Sequence, residues 1–224
     1  MHSRLTPQTR PVQILAGTAL LDGDLTVPER ALGLVIFAHG SGSSRFSSRN
    51  RAVSQMLTDG RFATLLLDLL TSDEDAIDLR TREYRFDVDR LGHRVVSAVD
   101  WARGESDVAA LPIACFGAST GAAAALIAAA HRPDSVRAVV SRGGRPDLAA
   151  GALPRVHAPT LLIVGGSDEV VMELNRAAMH GMRAHVVLEI VPGATHLFEE
   201  PGALDRVSQL ALEWCQRYLS SPEP

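Results

Sequence analysis

A serine flanked by glycines gives the strongest chemical signal in the sequence. Residues 117–121 read Gly-Ala-Ser-Thr-Gly, the G-x-S-x-G pattern in which a serine on a sharp strand-to-helix turn serves as a nucleophile. An apolar segment precedes the motif and an alanine-rich segment follows it, which is the context that the pattern requires. Small residues allow the strand and the helix to come close at such a turn. The motif therefore predicts nucleophilic catalysis by Ser119, and it places the backbone N–H of Thr120 to donate to an oxyanion.

A serine nucleophile requires a base to take its proton and an acid to orient that base. In the chain order Ser, Asp, His that accompanies this turn, the best candidates are Asp168, after the apolar segment TLLIVGG, and His196, in the loop VPGATHLF. Asp168 also suits an ordinary helix N-cap, and Asp147 is the alternative acid. A surface histidine is the alternative interpretation of His196, although none of the other histidines is better placed. The sequence predicts a triad of Ser119, Asp168 and His196.

A glycine- and serine-rich segment, HGSGSSRFSSRN, follows the first central apolar run. Its glycines allow the backbone to present N–H groups to the nucleophile from the opposite side. We predict that Ser41 is the second oxyanion donor, with Gly40 as the alternative. We interpret His39 as a structural residue that supports this loop by hydrogen bonding.

Four arginines fall in loops after strands that are predicted to end near the nucleophile. Arginine suits bidentate recognition of a carboxylate or phosphate, so an anionic group in the substrate is one hypothesis. The alternative is that each arginine is solvated or paired with a neighbouring acid. The four candidates for substrate binding are Arg45, Arg49, Arg142 and Arg145.

Short apolar runs alternate with longer segments of helical period along most of the chain. This alternation is typical of βαβ units and predicts an α/β fold with a parallel sheet. Strands are predicted to begin near Gly33, Ala63, Ile113, Val136, Thr160 and His185. Helices are predicted over about residues 50–57, 87–102, 120–130, 169–179 and 205–219.

Three further segments lie outside that alternation. A weaker period-two pattern over residues 12–26 predicts antiparallel edge strands, with Asp22-Gly23 as the hairpin turn. Residues 1–10 are predicted to form a flexible tail. The polar stretch over residues 71–85 is placed to arch over the site, and the sequence leaves open whether it forms a mobile lid.

Composition limits the kinds of partner. The chain has 224 residues, of which 46% are hydrophobic, and this predicts one domain over residues 1–224. Its 22 basic and 26 acidic side chains are scattered, which favours a small-molecule substrate over nucleic acid. The two cysteines are too few for a disulfide framework or a zinc site. No apolar run approaches the roughly 18 residues that span a bilayer, so we expect a cytoplasmic protein that binds neither metal nor membrane.

The motifs HGSGSS, GASTG, GGSDEVV and ATHLF together resemble those of the α/β-hydrolase superfamily, and more closely its dienelactone hydrolase-like family. The resemblance covers most of residues 33–219. It implies about eight strands in a mostly parallel sheet flanked by helices, without a large cap domain and without a cofactor. It also implies hydrolysis of esters or lactones by Ser119, Asp168 and His196. Authentic dienelactone hydrolases carry a cysteine at the elbow, where this chain has serine.

These residues predict a carboxylesterase-like serine hydrolase that cleaves esters or lactones of small molecules through an acyl-enzyme intermediate. The natural substrate and the oligomeric state stay open. A thioesterase or a peptidase on the same triad is one alternative, because a triad determines acyl transfer but not the leaving group. A non-catalytic scaffold that binds a small molecule is the alternative from another class.

Overall fold

Strands and helices alternate along most of the chain, as the hydrophobic pattern predicts. The computed structural model describes residues 7–220, and this part contains eight strands and six α-helices. The strands are β1 (Gln8–Ala16), β2 (Ala19–Val27), β3 (Gly33–Ala38), β4 (Phe62–Leu67), β5 (Ile113–Ala118), β6 (Val136–Arg142), β7 (Thr160–Gly165) and β8 (Val186–Val191). The helices are α1 (Ser48–Asp59), α2 (Ser72–Thr81), α3 (Val88–Gly104), α4 (Thr120–His131), α5 (Glu169–His180) and α6 (Ala203–Leu219). Two short 3-10 turns, Pro146–Ala149 and Leu153–Arg155, connect β6 to β7.

The eight strands form one sheet in the order β1-β2-β4-β3-β5-β6-β7-β8. β2 pairs antiparallel with both β1 and β4, whereas all pairs from β4 to β8 are parallel. β3, β4, β5 and β7 are buried along their whole length, because helices cover both faces of a parallel sheet. The predicted mostly parallel α/β sheet is confirmed. The loops that follow β3, β5, β6 and β7 therefore meet at one edge of the sheet.

The predicted position of the first hairpin turn is wrong. The β1–β2 turn lies at Gly17-Thr18, where Gly17 has a positive φ of 62°, and Asp22-Gly23 lies inside β2. Gly23 packs closely there, since a Cβ at this position would lie 3.1 Å from a methyl group of Leu65. The predicted tail is wrong in part, because β1 begins at Gln8. Residues 1–6 of that tail lie outside the described residues.

Two hydrophobic layers cover the sheet. α3 and α4 pack on one face, and α1 and α6 pack on the other. In α6, Val207, Ala211 and Trp214 are buried at the spacing of one helical face. α4, which begins directly after Ser119, is buried from Thr120 to Ala130, so its small side chains let neighbouring elements pack closely around it. No helix in residues 7–220 is both long enough and apolar enough to cross a membrane.

The polar stretch before α3 forms a helix, α2, that the sequence pattern did not predict. α2 lacks a periodic apolar face, and its Leu79 side chain is exposed. Local hydrogen bonds form it instead: the Thr71 hydroxyl accepts from the Glu74 N–H, and the Glu74 carboxylate accepts from the Thr71 N–H. Glu74 also forms an ion pair with the buried Arg94 of α3. These contacts anchor the segment to the body of the protein.

Candidate active site

Ser119 occupies a strained turn between β5 and α4. Its φ of 51° and ψ of −121° lie outside the ordinary regions for a residue with a side chain. A Cβ at Gly117 would overlap the backbone of Ala122, and a Cβ at Gly121 would overlap the carbonyl oxygens of Ala38 and His39. The two glycines of the motif therefore allow the strand, the helix and the loop after β3 to meet around Ser119.

Hydrogen bonds link the three residues of the predicted triad. His196 Nδ1 lies 2.7 Å from Asp168 Oδ2, and His196 Nε2 lies 3.4 Å from Ser119 Oγ. The imidazole is thus placed between a carboxylate and a hydroxyl, the arrangement in which a histidine accepts a proton from a serine. Hydrogen bonds of this kind are often long in proteins without a bound substrate.

The loop after β8 carries His196 and is held in place by its neighbours. Phe198, two residues after His196, is 2% exposed and has a positive φ of 56°. A Cβ at Gly165, the last residue of β7, would overlap the carbonyl oxygens of Ala194 and Thr195. The end of β7 and the buried Phe198 ring therefore restrain the loop that carries the imidazole.

The geometry distinguishes between the two candidate acids. Asp168 lies at the N-cap position of α5, but its side chain makes no capping hydrogen bond and contacts His196 instead. Asp147 accepts two hydrogen bonds of 2.8 Å from the guanidinium of Arg145. The alternative acid is therefore engaged by an arginine, and Asp168 is the carboxylate that can orient the histidine.

The loop after β3 passes directly beside the nucleophile. A Cβ at Gly40 would lie 3.1 Å from Ser119 Cβ, and the Ser43 N–H donates to the Gly40 carbonyl in a turn. His39 supports the loop, since its Nε2 accepts from the Leu69 N–H at 3.0 Å and its Nδ1 lies 2.8 Å from the Gly40 carbonyl. Burial lowers the pKa of His39, so the ring is neutral and its proton lies on Nδ1. Oxyanion binding by the N–H groups of Ser41 and Thr120 stays a prediction.

Two of the four predicted substrate-binding arginines are engaged elsewhere. The guanidinium of Arg45 pairs with Asp68 and lies 3.8 Å from Asp22. That of Arg145 pairs with Asp147, and this hydrogen-bonded contact raises the pKa of Arg145. Carboxylates near the strand ends attract both guanidinium groups, and the structure does not bring either side chain to Ser119.

The other two predicted arginines line a cavity of about 280 Å³ at Ser119. Arg142 is 8% exposed, and burial together with the charge of Arg49 lowers its pKa to about 10. Asn50 and Leu197 also line the cavity and were not predicted as site residues. Asn50 is a buried polar residue in the first turn of α1. The only sequence feature that could have marked it as a site residue is its position shortly after the glycine-rich loop.

The two cysteines take no part in this arrangement. Cys115 and Cys215 are buried free thiols, and desolvation raises the pKa of each to about 12. Since the thiolate is the reactive form of cysteine, both residues are apolar packing groups. Within residues 7–220, no group of three or more His, Cys, Asp and Glu side chains is arranged to hold a metal ion.

A mostly parallel sheet flanked by helices, with a serine on a strained turn after its central strand, defines an α/β-hydrolase fold. Residues 21–218 match the dienelactone hydrolase family, and the chain belongs to that family. It therefore belongs to a family of hydrolases.

Comparison with individual proteins agrees with this assignment. The chain is similar to a dienelactone hydrolase of known structure from Anabaena variabilis, with 55% identity, a TM-score of 0.93, and coverage of 95% of this chain and 99% of that one. Est1E from Butyrivibrio proteoclasticus shares the fold, with 18% identity, a TM-score of 0.77, and coverage of 92% and 98%. A Mycobacterium tuberculosis protein provisionally named a phosphoribosyl transferase is 54% identical over 95% of this chain. The chain spans 47% of that protein, so it covers about half the length of the curated relatives it matches.

Proposed function

We propose that the protein is a serine hydrolase that cleaves carboxylic esters or lactones of small molecules through an acyl-enzyme intermediate. The observation that carries the proposal is the hydrogen-bonded series from Asp168 through His196 to Ser119, with the serine on a strained turn. Each group has the chemistry that its place in the series requires. The proposal rests on this site and not on the name of the mycobacterial relative. That relative is about twice as long as this chain.

The reaction would begin when Ser119 Oγ attacks the acyl carbon and His196 Nε2 takes the hydroxyl proton. Asp168 keeps the other imidazole proton on Nδ1 and stabilises the imidazolium that forms. The N–H groups of Thr120 and Ser41 would bind the oxyanion; Thr120 directly follows the nucleophile, and Ser41 lines the same cavity as Ser119. His196 then returns the proton to the leaving alkoxide, and a water molecule activated by the same base releases the acid and restores Ser119.

The size of the cavity favours small substrates. Its volume of about 280 Å³ lies at the lower end for small-molecule sites. The segment between β4 and α3 supplies only the short helix α2, so the described residues contain no large cap domain that would enclose a long acyl chain. We therefore propose short acyl groups or lactones as substrates.

A pre-steady-state assay with 4-nitrophenyl acetate tests the proposal. The wild-type chain should release a burst of nitrophenol equal to the enzyme concentration, followed by slower turnover, because acylation precedes deacylation. Ser119→Ala should lose the burst. Ser106→Ala, which changes an exposed serine in the loop after α3, is the matched control and should keep it.

Two outcomes would contradict the proposal. If Ser119→Ala kept the burst, another residue would be the nucleophile. If no ester, thioester or lactone in a panel of short substrates were hydrolysed faster by the wild type than by the variant, the fold would serve as a binding scaffold.

A further inference from the structure

Asp78 and Arg85 form a buried ion pair in the segment between β4 and α3. The Asp78 side chain is 1% exposed, and its Oδ2 accepts from Arg85 Nε at 2.5 Å. Its Oδ1 accepts from the backbone N–H groups of Tyr84 and Arg85, and its carbonyl accepts from Arg85 Nη2 at 3.0 Å. Desolvation favours the neutral carboxyl group, but the hydrogen bonds and the charge of Arg85 outweigh it and lower the pKa of Asp78. An ionised carboxylate therefore holds the guanidinium in one orientation.

The free end of this guanidinium covers the loop after β3. A Cβ at Gly42 would lie 3.2 Å from Arg85 Nη1 and 3.9 Å from Arg85 Cζ. Apart from the two chain neighbours of Gly42, no other described residue has an atom within 4 Å of that point. Gly42 has a positive φ of 68° and directly follows Ser41, whose N–H is the second donor of the proposed oxyanion hole. Arg85 thus packs on the tip of the loop that carries this donor.

Other contacts hold the two ends of the same loop. At one end, His39 Nε2 accepts from the Leu69 N–H at 3.0 Å. At the other end, Arg45 pairs with Asp68, and its backbone N–H donates to the same carboxylate at 2.6 Å. A tip that contains glycine has high conformational freedom, so its conformation depends on what packs against it. Between the two anchored ends, that contact is made by Arg85.

The segment that carries Arg85 is itself fixed to the body of the protein. The Glu74 carboxylate of α2 accepts from both terminal nitrogens of the buried Arg94 at 2.7 and 2.5 Å. Arg85 is not among the described residues that line the cavity at Ser119. Its route to the reacting atoms therefore runs through the loop and not through direct contact with a substrate.

We propose that Arg85 is a positioning residue that holds the Ser41 N–H in the oxyanion hole by packing its guanidinium on Gly42. An oxyanion donor is effective only when it is already in place, and a misplacement of about 1 Å can cost about 100-fold in rate. Without the guanidinium, the tip would sample conformations that turn this N–H away from the oxyanion. The inference rests on the proposed function, since it concerns the oxyanion hole of the same site.

Arg85→Gln is the variant that tests the proposal. Glutamine keeps an N–H donor for the buried Asp78 but is too short to cover Gly42. Arg85→Lys keeps the ion pair without the planar group, and it takes the place of Arg85→Gln if that variant does not fold. Arg90→Gln is the matched control, because the guanidinium of Arg90 pairs with Asp87 and lies over the Tyr84 ring.

Amide hydrogen exchange measures the loop without any substrate. The Ser43 N–H donates to the Gly40 carbonyl inside the loop, so its exchange rate reports how often the tip opens. We expect exchange about ten-fold or more faster in Arg85→Gln than in the wild type, and a change within about two-fold in Arg90→Gln. The amides of β5 should exchange equally in all three proteins if the fold is retained. Unchanged exchange at Ser43 would overturn the proposal, even if the chain hydrolyses esters.

Burst kinetics with 4-nitrophenyl acetate relate the loop to catalysis. The burst amplitude counts folded active sites, whereas the burst rate reports acylation. Arg85→Gln should keep the amplitude and lower the maximal burst rate about 10- to 100-fold. The ester concentration that gives half of that rate should change within about two-fold, because binding of the ground state is kept. Arg90→Gln should alter neither quantity.

Two results separate this inference from the proposed function. A lower amplitude at an unchanged rate would show that Arg85 serves folding alone, and it would refute the positioning role without contradicting the triad. Absence of a burst in the wild type would contradict the proposed function instead. The exchange rate of Ser43 would then decide by itself whether Arg85 holds the loop.

Discussion

Replacement of Arg142 by methionine should make the protein more stable. Desolvation and the charge of Arg49 lower the pKa of this arginine from its ordinary value to about 10. One pH unit of lowering corresponds to about 1.4 kcal/mol, so burial of the charged form reduces the free energy of unfolding by about 3 kcal/mol. Methionine keeps most of the aliphatic stem and removes the charge. We therefore expect Arg142→Met to recover up to about 3 kcal/mol, which for a chain of this length is a rise of roughly 6–12 °C in Tm.

The pH range of the effect follows from the direction of the shift. A cation whose pKa is lower in the folded than in the unfolded chain destabilises the fold wherever both states hold the proton. For Arg142 this holds below pH about 10, and the penalty decreases only as the pH rises above that value. The stability difference between Arg142→Met and the wild type should thus be constant from neutral to mildly alkaline pH.

Differential scanning calorimetry and urea titration of both proteins near neutral pH measure the effect. Arg145→Met serves as the control, and it should leave Tm unchanged or lower it slightly, because it removes a half-exposed ion pair. A Tm of Arg142→Met at or below that of the wild type would refute the reasoning. In that case the guanidinium of Arg142 would be compensated in the folded protein.

Three other perturbations test the site and its support. Asp168→Asn should lower kcat by about 10³- to 10⁴-fold, because the imidazole loses its orienting acid. Asp147→Asn should change kcat little. If steady-state kinetics reversed this order, Asp147 would be the acid. Gly121→Ala should reduce the free energy of unfolding by about 1–3 kcal/mol in urea titrations, because its methyl group would overlap the Ala38 carbonyl, and an unchanged urea midpoint would contradict that packing. Burial lowers the pKa of His39 from 6.5, so wild-type stability should fall below that pH by at most about 1.4 kcal/mol per unit from this residue. His39→Gln should lack this contribution to the pH dependence of the free energy of unfolding, as measured by urea titrations at several pH values below 6.5. If the variant and the wild type showed the same pH dependence, other groups would cause it.

Much of the fold could be predicted because its signals are local. Apolar runs such as residues 160–165 are buried on both faces, so their hydrophobicity is visible in the sequence without knowledge of any neighbour. α2 was not predicted because it has no periodic apolar face. A capping box and an ion pair with Arg94 stabilise it instead. The hairpin turn was misplaced for a related reason. Gly23 serves close packing against Leu65 of another strand, and the dipeptide alone does not show this.

The sequence by itself determined the candidate nucleophile, since a strained strand-to-helix turn requires small residues at fixed distances from Ser119 along the chain. Only the tertiary structure decided which acid faces His196 and which arginines face the cavity. Asp168 and His196 are 28 residues apart, and His196 and Ser119 are 77 apart, so their contacts depend on where the loops after β5, β7 and β8 come together. Asp147 and Arg45 are of the same residue types as Asp168 and Arg142, but their partners lie elsewhere. A charged group interacts with whatever the fold places within a few ångströms of it, and that neighbourhood is set by packing across the whole sheet.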